Sequence, residues 1–405
     1  MSFSKILGCI MLVMGTSIGG GILALPMVGI GSGLIPTFGL IIFLWALIAL
    51  SGLLFLELTL SFPAGENNFT SIAYKTLGHS GRIMTFISYL LLLYALVAAY
   101  IAGGGSLLSE IFRLMNIHIS PSVSGLIFVI VLGSFVIHGV KAVDYVNRTF
   151  FSIKALFLIL TLLFLTPYID LSNTLIHESH FRYIWAAAPI YLCAFGYHIL
   201  IPTLTNYLNR QQKTIRFVIL LGTFLTMLIY LIWLFEILGI VSIENFAAFL
   251  KNQGSTGEFI AMIMGIVQNK WVNAAINGFA NITITTSFLG VSLALYDFLA
   301  DALKRPKSFR GKAEISLLCF LPPTLFAIFY PQGFVLALGY AAICVAFSLI
   351  MLPALMVWQL RKKKMGSSYR VFGGSTLLFL VFFIGLALII LQILDRWHWW
   401  PTFNP

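Results

Sequence analysis

The sequence predicts an all-α polytopic membrane protein. Of its 405 residues, 60% are hydrophobic and only 9% are charged, whereas charged residues make up about 25% of a typical soluble domain. Apolar segments of about 20 residues, the length that crosses a bilayer as a helix, recur along the whole chain. In a soluble protein, the net charge of +11 would suggest binding to nucleic acid. In a membrane protein, the distribution of the basic residues between loops indicates which side of the membrane each loop faces. We therefore expect a single membrane domain over residues 1–405, with the bilayer and no nucleic acid as a partner.

Eleven segments qualify as spanning helices. They lie at about 6–30, 34–62, 83–112, 122–139, 149–168, 183–206, 215–240, 272–300, 314–330, 333–359 and 371–394.

The distribution of basic residues predicts which side of the membrane each loop faces. With a cytoplasmic amino terminus, 19 of the 24 lysines and arginines, Lys154 among them, fall on the inner side. Because loops rich in lysine and arginine stay in the cytoplasm, the sequence predicts an inner amino terminus and a carboxyl terminus on the outer side.

Two of the eleven predicted spans are interrupted by glycine and proline. The first contains Gly15-Thr16-Ser17-Ile18-Gly19-Gly20-Gly21 and then Pro26, and the sixth contains Gly196 followed by Pro202. Glycine and proline both weaken a helix. Since backbone groups freed at this depth cannot face lipid, each interruption has to be buried in protein or line a polar cavity.

The two interruptions lie five spans apart, which predicts an internal repeat. A repeat of five spans enters the membrane from the opposite side in its second copy, giving inverted halves of about 5–170 and 182–360 with an extra helix at about 371–394. Matching interruptions at the start of each half point to a substrate site near the bilayer midplane. The alternative is that these glycines only permit close packing of helices.

The exposed backbone of such a break indicates the kind of ligand. Amides at Gly19, Gly20 and Gly21 and the positive end of a half-helix suit a carboxylate, while freed carbonyls suit an ammonium group. An amino acid carries both groups. No cofactor or metal is expected, because the four cysteines are scattered singly and the glycine run lacks the Gly-Lys-Ser/Thr ending of a phosphate loop.

Four stretches carry a resemblance to a known family. They are the run from Gly15 to Pro26, the third-span run from Tyr94 to Gly105, Phe195-Gly196-Tyr197-His198 with Pro202, and Thr286 to Val291 followed by Tyr296 to Asp301. Together they resemble the bacterial hydroxy/aromatic amino acid permease family, and within it the tyrosine and tryptophan permeases most closely.

This resemblance implies a proton-driven importer of the bacterial inner membrane, a symporter and no enzyme. It also implies the five-plus-five, leucine-transporter-like fold of the amino acid-polyamine-organocation superfamily. Tyrosine is favoured over tryptophan as substrate. The alternatives are a serine or threonine permease of the same family, or a non-transporting amino acid sensor or a channel on the same scaffold. No obligate protein partner is evident.

The resemblance, together with the backbone groups freed at the two interruptions, indicates which residues are candidates for binding the substrate. Thr16 to Gly21 and Phe195 to His198 would hold the substrate backbone, and spans three and eight would add side chains. The candidates are Thr16, Ser17, Gly19, Gly20, Gly21, Tyr94, Tyr100, Phe195, Gly196, His198, Thr285 and Ser287.

Three residues are candidates for proton coupling or gating. His198 lies beside the sixth-span break and changes charge near neutral pH, so it could relay a proton or could be a packed neutral residue. Glu57 lies in an apolar run and could carry a proton, although pairing with an inner arginine or lysine is the alternative we favour. Asp297 lies one turn from Asp301 and close to Lys304 and Arg305, which favours an inner-gate ion pair.

The long outer connection at about 241–271 has apolar residues at helical spacing. We expect short helices over the outer mouth, or alternatively an interfacial loop.

Overall fold

The computed structural model describes residues 3–64, 66–174, 183–251, 254–304, 309–365, 369–397 and 399, and these residues form helices and connecting turns. Sixteen α-helices run through the described ranges. They are α1 (Phe3–Ser17), α2 (Gly21–Gly29), α3 (Leu34–Ser61), α4 (Phe69–Leu114), α5 (Pro121–His138), α6 (Val140–Leu165), α7 (Ile184–Cys193), α8 (Ile201–Tyr207), α9 (Gln212–Ile240), α10 (Ile243–Lys251), α11 (Thr256–Val267), α12 (Lys270–Leu303), α13 (Phe309–Phe329), α14 (Phe334–Val345), α15 (Leu352–Lys362) and α16 (Gly374–Arg396).

The described helices confirm the all-α polytopic fold. Ten are long and apolar enough to cross a membrane, counting α7 with α8 and α14 with α15 as single spans, and the bent pair of α1 and α2 makes an eleventh. The ends agree with the predicted spans to within a few residues, except that α4 and α6 begin well before them. In α4 the extra turns precede a kink at Gly78, whose φ is 76°. The inverted repeat and its boundaries remain a prediction.

Both predicted interruptions are present in the structure. Helices α1 and α2 meet at a bend of 52°, where the α-helical hydrogen bonds stop at Ser17 and begin again at Gly21. Helix α7 ends at Cys193, and the chain reaches α8 through a short 3₁₀ turn, His198–Leu200. The two breaks therefore fall in the spans, and close to the residues, that the sequence predicts.

The orientation of the chain, which rests on loop charges, remains a prediction. The outer side is the side predicted to face the periplasm. Of the basic residues counted for it, Arg182, Arg305 and Lys307 lie outside the described residues.

The connection after α9 forms two short helices, α10 and α11, of the kind the sequence predicts. Helix α11 starts with a capping box, in which Ser255 and Glu258 bond to each other's backbone amides. The Gly257 amide donates to Ser106 Oγ of α4 at 3.1 Å, and Phe249 and Phe259 pack edge to face at 5.4 Å. Helix α11 therefore covers the outer end of α4, and α10 packs on α11.

Gly257 is a position where a side chain has no room. A Cβ there would lie 2.7 Å from the Ser106 carbonyl carbon and 2.9 Å from Glu110 Cγ, whereas a Cβ on Gly265 of the same helix would meet nothing within 4 Å. We expect Gly257→Ala to lose about 1–3 kcal/mol of stability by overpacking.

The matched control is Gly265→Ala, which we expect to gain about 0.5–1 kcal/mol because alanine favours the helix. Thermal unfolding of both purified variants in one detergent measures the difference. Equal melting temperatures would contradict the close contact of α11 with α4.

Candidate functional site

The two helix breaks lie against each other in the structure. A Cβ added to Gly21, the first residue of α2, would lie 3.2 Å from Ala194 Cα at the end of α7. The hydroxyl of Tyr230, on α9, lies 2.7 Å from both the Ser17 carbonyl oxygen and the Ala194 carbonyl oxygen. One side chain therefore bridges the carbonyls freed at both breaks.

A hydroxyl has one proton to donate, so Tyr230 can fully satisfy only one of these two carbonyls at a time. The other carbonyl keeps capacity to accept a hydrogen bond from a further donor. The bridge thus leaves an acceptor available where the two breaks meet.

Helix α9 holds the breaks through two further contacts. Trp233 Nε1 donates to the Ile22 carbonyl of α2 at 3.0 Å, and the ring of Phe195 packs edge to face on the ring of Tyr230 at 5.0 Å. Both aromatic residues of α9 are fully buried. The backbone of each break is thereby positioned by long-range contacts and not by its own helix.

The glycine run also meets α12 and α4. The Gly20 amide donates to Ser287 Oγ of α12 at 2.9 Å. A Cβ on Gly20 would lie 2.6 Å from Tyr100 Cε1. Glycine at this position lets the Tyr100 ring lie directly on the backbone of the break.

Lys154 corrects one part of the sequence analysis. It was counted as an inner-loop residue, but it lies within α6 with 7% of its surface exposed, and its Nζ donates to the Ile18 carbonyl at 2.8 Å. Lys154 Nζ also lies 5.8 Å from the centroid of the Phe151 ring. The count was wrong here because a charge at the inner end of an apolar segment looks like a loop residue when its long-range partner is unknown.

Several buried polar atoms near the breaks have no hydrogen-bond partner among the described residues. They are Ser17 Oγ, Thr283 Oγ1 and both ring nitrogens of His198. Buried polar groups are ordinarily paired, so these atoms keep unused hydrogen-bonding capacity. His198 is packed against Tyr197 and Phe55, with ring centroids 4.8 and 6.4 Å away.

The remaining candidates do not all meet at the breaks. Tyr94 donates its hydroxyl to the Leu318 carbonyl of α13 at 2.8 Å, and Thr16 is exposed and donates to Leu12 of its own helix. Gly19 faces Ser287, because a Cβ there would lie 2.9 Å from Ser287 Oγ. Gly196 and Thr285 are half-buried, the first within the break and the second on α12.

Glu57 is engaged in a buried ion pair. Its carboxylate accepts from Arg361 Nε at 2.8 Å, from Arg361 Nη2 at 2.7 Å and from the Val371 amide at 2.7 Å. The Glu57 and Arg361 side chains are only 2% and 11% exposed. This pair fits the structural role that the sequence favours for Glu57, and it ties α3 to the end of α15.

Asp297 lies apart from the breaks on α12. Its side chain is exposed, and within the described ranges no ion pair joins Asp297 or Asp301 to Lys304; Arg305 lies outside these ranges. The predicted inner-gate ion pair is therefore not formed between described residues. A search of the same ranges finds no group of three or more histidine, cysteine, aspartate or glutamate residues that could hold a metal ion.

Comparison with known proteins identifies the kind of protein. A model of the tryptophan/tyrosine permease family matches residues 2–392. The chain belongs to this family.

Individual relatives match over almost their whole length. The chain is 35% identical to tyrosine-specific transport system 1 of Haemophilus influenzae, covering 98% of this chain and 99% of the relative. It is 32% identical to the tryptophan-specific transport protein of the same species, covering 99% and 98%. It is 30% identical to the low affinity tryptophan permease of Escherichia coli K12, covering 98% and 97%.

Family membership confirms the resemblance read from the sequence. The protein is a permease of a family of aromatic amino acid transporters and not an enzyme, and its helices make it a multi-pass membrane protein. The substrate class is a small-molecule amino acid.

Sequence reasoning missed three residues that contact the breaks, Tyr230, Trp233 and Lys154, and also missed the buried, unpartnered Thr283. Thr283 lies one helical turn before Ser287, so the 3.6-residue period could have predicted it. Tyr230, Trp233 and Lys154 act on backbone carbonyls more than a hundred residues away in the chain. No local pattern reports such contacts.

The bridging hydroxyl of the permease can be removed without removing its ring. We expect Tyr230→Phe to cost about 1–3 kcal/mol, because a buried carbonyl loses its donor, while the ring contact with Phe195 is kept. The measurement is thermal unfolding in detergent. Tyr145→Phe is the control, since Tyr145 is 77% exposed; an equal effect of both substitutions would contradict the bridge.

Removing one partner of the Glu57–Arg361 pair leaves a buried charge alone. We expect Glu57→Gln to lower the free energy of unfolding by about 3–5 kcal/mol. The double variant Glu57→Leu/Arg361→Met should regain part of that lost stability. The control is Glu66→Gln, which breaks the exposed pair with Lys75 and costs at most about 1 kcal/mol. A double variant less stable than Glu57→Gln alone would contradict the pairing.

Proposed function

We propose that this permease imports an aromatic amino acid together with protons by alternating access, and that it prefers tyrosine to tryptophan. The relatives named as tyrosine-specific are 35% and 34% identical to the chain, and those named for tryptophan are 32% identical or less. We further propose an inner-membrane location with the amino terminus in the cytoplasm, as the loop charges suggest.

The observation that carries the proposed substrate site is the contact between the two breaks. The substrate ammonium would donate to whichever of the Ser17 and Ala194 carbonyls Tyr230 leaves free. The carboxylate would lie at the positive end of α2, on the amides of Gly20 and Gly21. There it would replace Ser287 as the acceptor for the Gly20 amide.

The aromatic side chain of the substrate would lie beside the rings that flank the breaks. Tyr100 covers Gly20, and Phe195 is packed on Tyr230. The unpartnered Thr283 hydroxyl and His198 imidazole supply polar groups that could bind a phenol. Tyr94, whose hydroxyl is bonded to α13, would act only at the edge of this site.

Lys154 supports the choice of protons as the coupling ion. A bound metal cation would need backbone carbonyls such as Ile18 O as ligands. The buried Lys154 ammonium already binds that carbonyl at the first break. A buried lysine can lose its proton, and loss of that proton would weaken the bond to the carbonyl, because a neutral amine is a poorer donor than an ammonium group. Proton exchange at Lys154 would thereby change how α1 is held to α6.

Uptake into proteoliposomes under an imposed pH gradient tests the proposal. We expect labelled tyrosine to accumulate above the outer concentration, tryptophan less so and serine not at all. Accumulation of serine would favour a serine or threonine permease, and flux without accumulation would favour a channel. Binding without flux would favour a sensor.

Substitution at Gly20 tests the site within the same assay. We expect Gly20→Leu to abolish tyrosine uptake while the protein still inserts, because the side chain would collide with Tyr100. Gly8→Leu is the control, since a Cβ at Gly8 meets nothing within 4 Å. Transport preserved in Gly20→Leu would refute the site at the first break.

Substitution at Lys154 tests the coupling ion. We expect Lys154→Met to lose accumulation driven by the pH gradient, because the side chain can no longer carry a proton. Lys251→Met is the control, because Lys251 is exposed on α10. Accumulation in Lys154→Met with the wild-type pH profile would rule out this lysine as the coupling group.

A further inference from the structure

A second buried charge lies on α9 beyond the amino acid site. Glu236 is 3% exposed. Its Oε1 accepts from Thr166 Oγ1 at 3.2 Å, and its Oε2 has no hydrogen-bond partner among the described residues. Thr166 also donates to the Leu162 carbonyl at 2.8 Å, and its single proton cannot fully satisfy both acceptors. The carboxyl is thus buried with much of its hydrogen-bonding capacity unused.

Glu236 lies between the two breaks and the outer surface. It follows Tyr230 by six residues, which is about 9 Å along a helix at 1.5 Å per residue. Three residues farther on, the Gly239 carbonyl accepts from the Asp170 amide at 2.9 Å and from Asn173 Nδ2 at 3.0 Å. The turn containing Asp170 and Asn173 therefore lies over this end of α9, and Glu236 lies beneath it.

No basic side chain in the described ranges forms an ion pair with Glu236. The nearest titratable groups on the outer turn are engaged elsewhere. The Tyr168 hydroxyl accepts from Asn269 Nδ2 at 3.0 Å, and Ser172 donates from its amide and its hydroxyl to Asp170. These bonds hold the pKa of Asp170 below its usual range, so it carries a negative charge that cannot neutralise Glu236.

The helices packed on α9 also carry titratable groups, and most of them have contacts of their own. Lys154 of α6 donates to the first break, Glu57 of α3 pairs with Arg361, and Lys5 of α1 lies over the Tyr207 ring. Of the others on these helices, Cys9 of α1 is buried and Tyr145 of α6 is exposed, while the side chains of Lys141, Asp144 and Arg148 of α6 lie outside what the structure describes.

An ionised carboxylate buried without a cation is costly, whereas a protonated carboxyl is neutral and has a proton to donate. We propose that Glu236 takes up a proton from the outer solution and gives it up toward the inner side in each transport cycle. The O–H bond forms on the carboxylate when a hydronium ion outside gives up its proton, and it breaks when water on the inner side accepts that proton. Glu236 is then a coupling residue distinct from the amino acid site, and this inference rests on the proposed proton symport.

The test replaces Glu236 with a side chain that is always neutral. Glu236→Gln keeps the shape and the bond from Thr166 but cannot exchange a proton. We expect it to retain exchange of labelled tyrosine for unlabelled tyrosine, which needs no net proton movement. We expect it to lose accumulation driven by a pH gradient, so that uptake stops at equal concentrations and no longer depends on outer pH.

Two controls separate this role from a structural one. Glu244→Gln neutralises an exposed carboxylate on α10, and we expect it to accumulate tyrosine as wild type does. Thr166→Val removes the donor to Glu236 while leaving the carboxyl, and we expect it to keep accumulation with a shifted pH profile. Thermal unfolding checks that every variant is folded.

The outcomes distinguish this inference from the proposed function. If wild type fails to accumulate tyrosine under a pH gradient, the proposed symport itself is wrong. If wild type accumulates and Glu236→Gln does so with the same pH profile, the inference is wrong and the symport stands. If Glu236→Gln loses both tyrosine exchange and accumulation, the inference is also wrong, because Glu236 is then needed for the structure or for substrate binding.

Discussion

The hydrogen bond from Tyr230 to the freed carbonyls of two broken helices is the interaction on which the rest of the structure depends. Inside a bilayer, backbone groups released from a helix must find partners in the protein. Here α9 supplies them for both breaks at once, through Tyr230 and Trp233. Ser287 of α12 and Lys154 of α6 complete the set at the first break. Side chains from three other helices, α9, α12 and α6, thus bind the backbone groups freed at the two breaks.

The buried charged residues of the permease fall into two groups, those that have a partner of opposite charge and those that have none among the described residues. Glu57 has a bidentate arginine and a backbone amide, so its charge is balanced and holds helices together. Among the described residues, Lys154 has the Ile18 carbonyl and the Phe151 ring as partners, and Glu236 has a shared hydroxyl. Unbalanced groups of this kind gain from exchanging a proton as the surroundings change. In the mechanism proposed above, the charge near the inner side is structural, and the groups near the breaks and beyond them exchange protons.

The sequence predicted the helical framework well because its signals are local. Hydropathy located eleven spans, and the runs at Gly19 to Gly21 and at Gly196 with Pro202 located both breaks. The contacts that turn breaks into a site are not local: Tyr230 reaches Ser17 across 213 positions and Lys154 reaches Ile18 across 136. Lys154 was misassigned for this reason, whereas the pairing of Glu57 was anticipated because its position near an inner end left few other solutions.

Hydrogen–deuterium exchange with and without tyrosine tests the central claim most directly, since a ligand bound at the breaks has to protect their amides. Tyrosine should slow exchange in peptides covering residues 15–26 and 194–204 together, and leave peptides from α5 unchanged. Protection of one break without the other, or protection confined to other helices, would contradict a site shared by the two breaks.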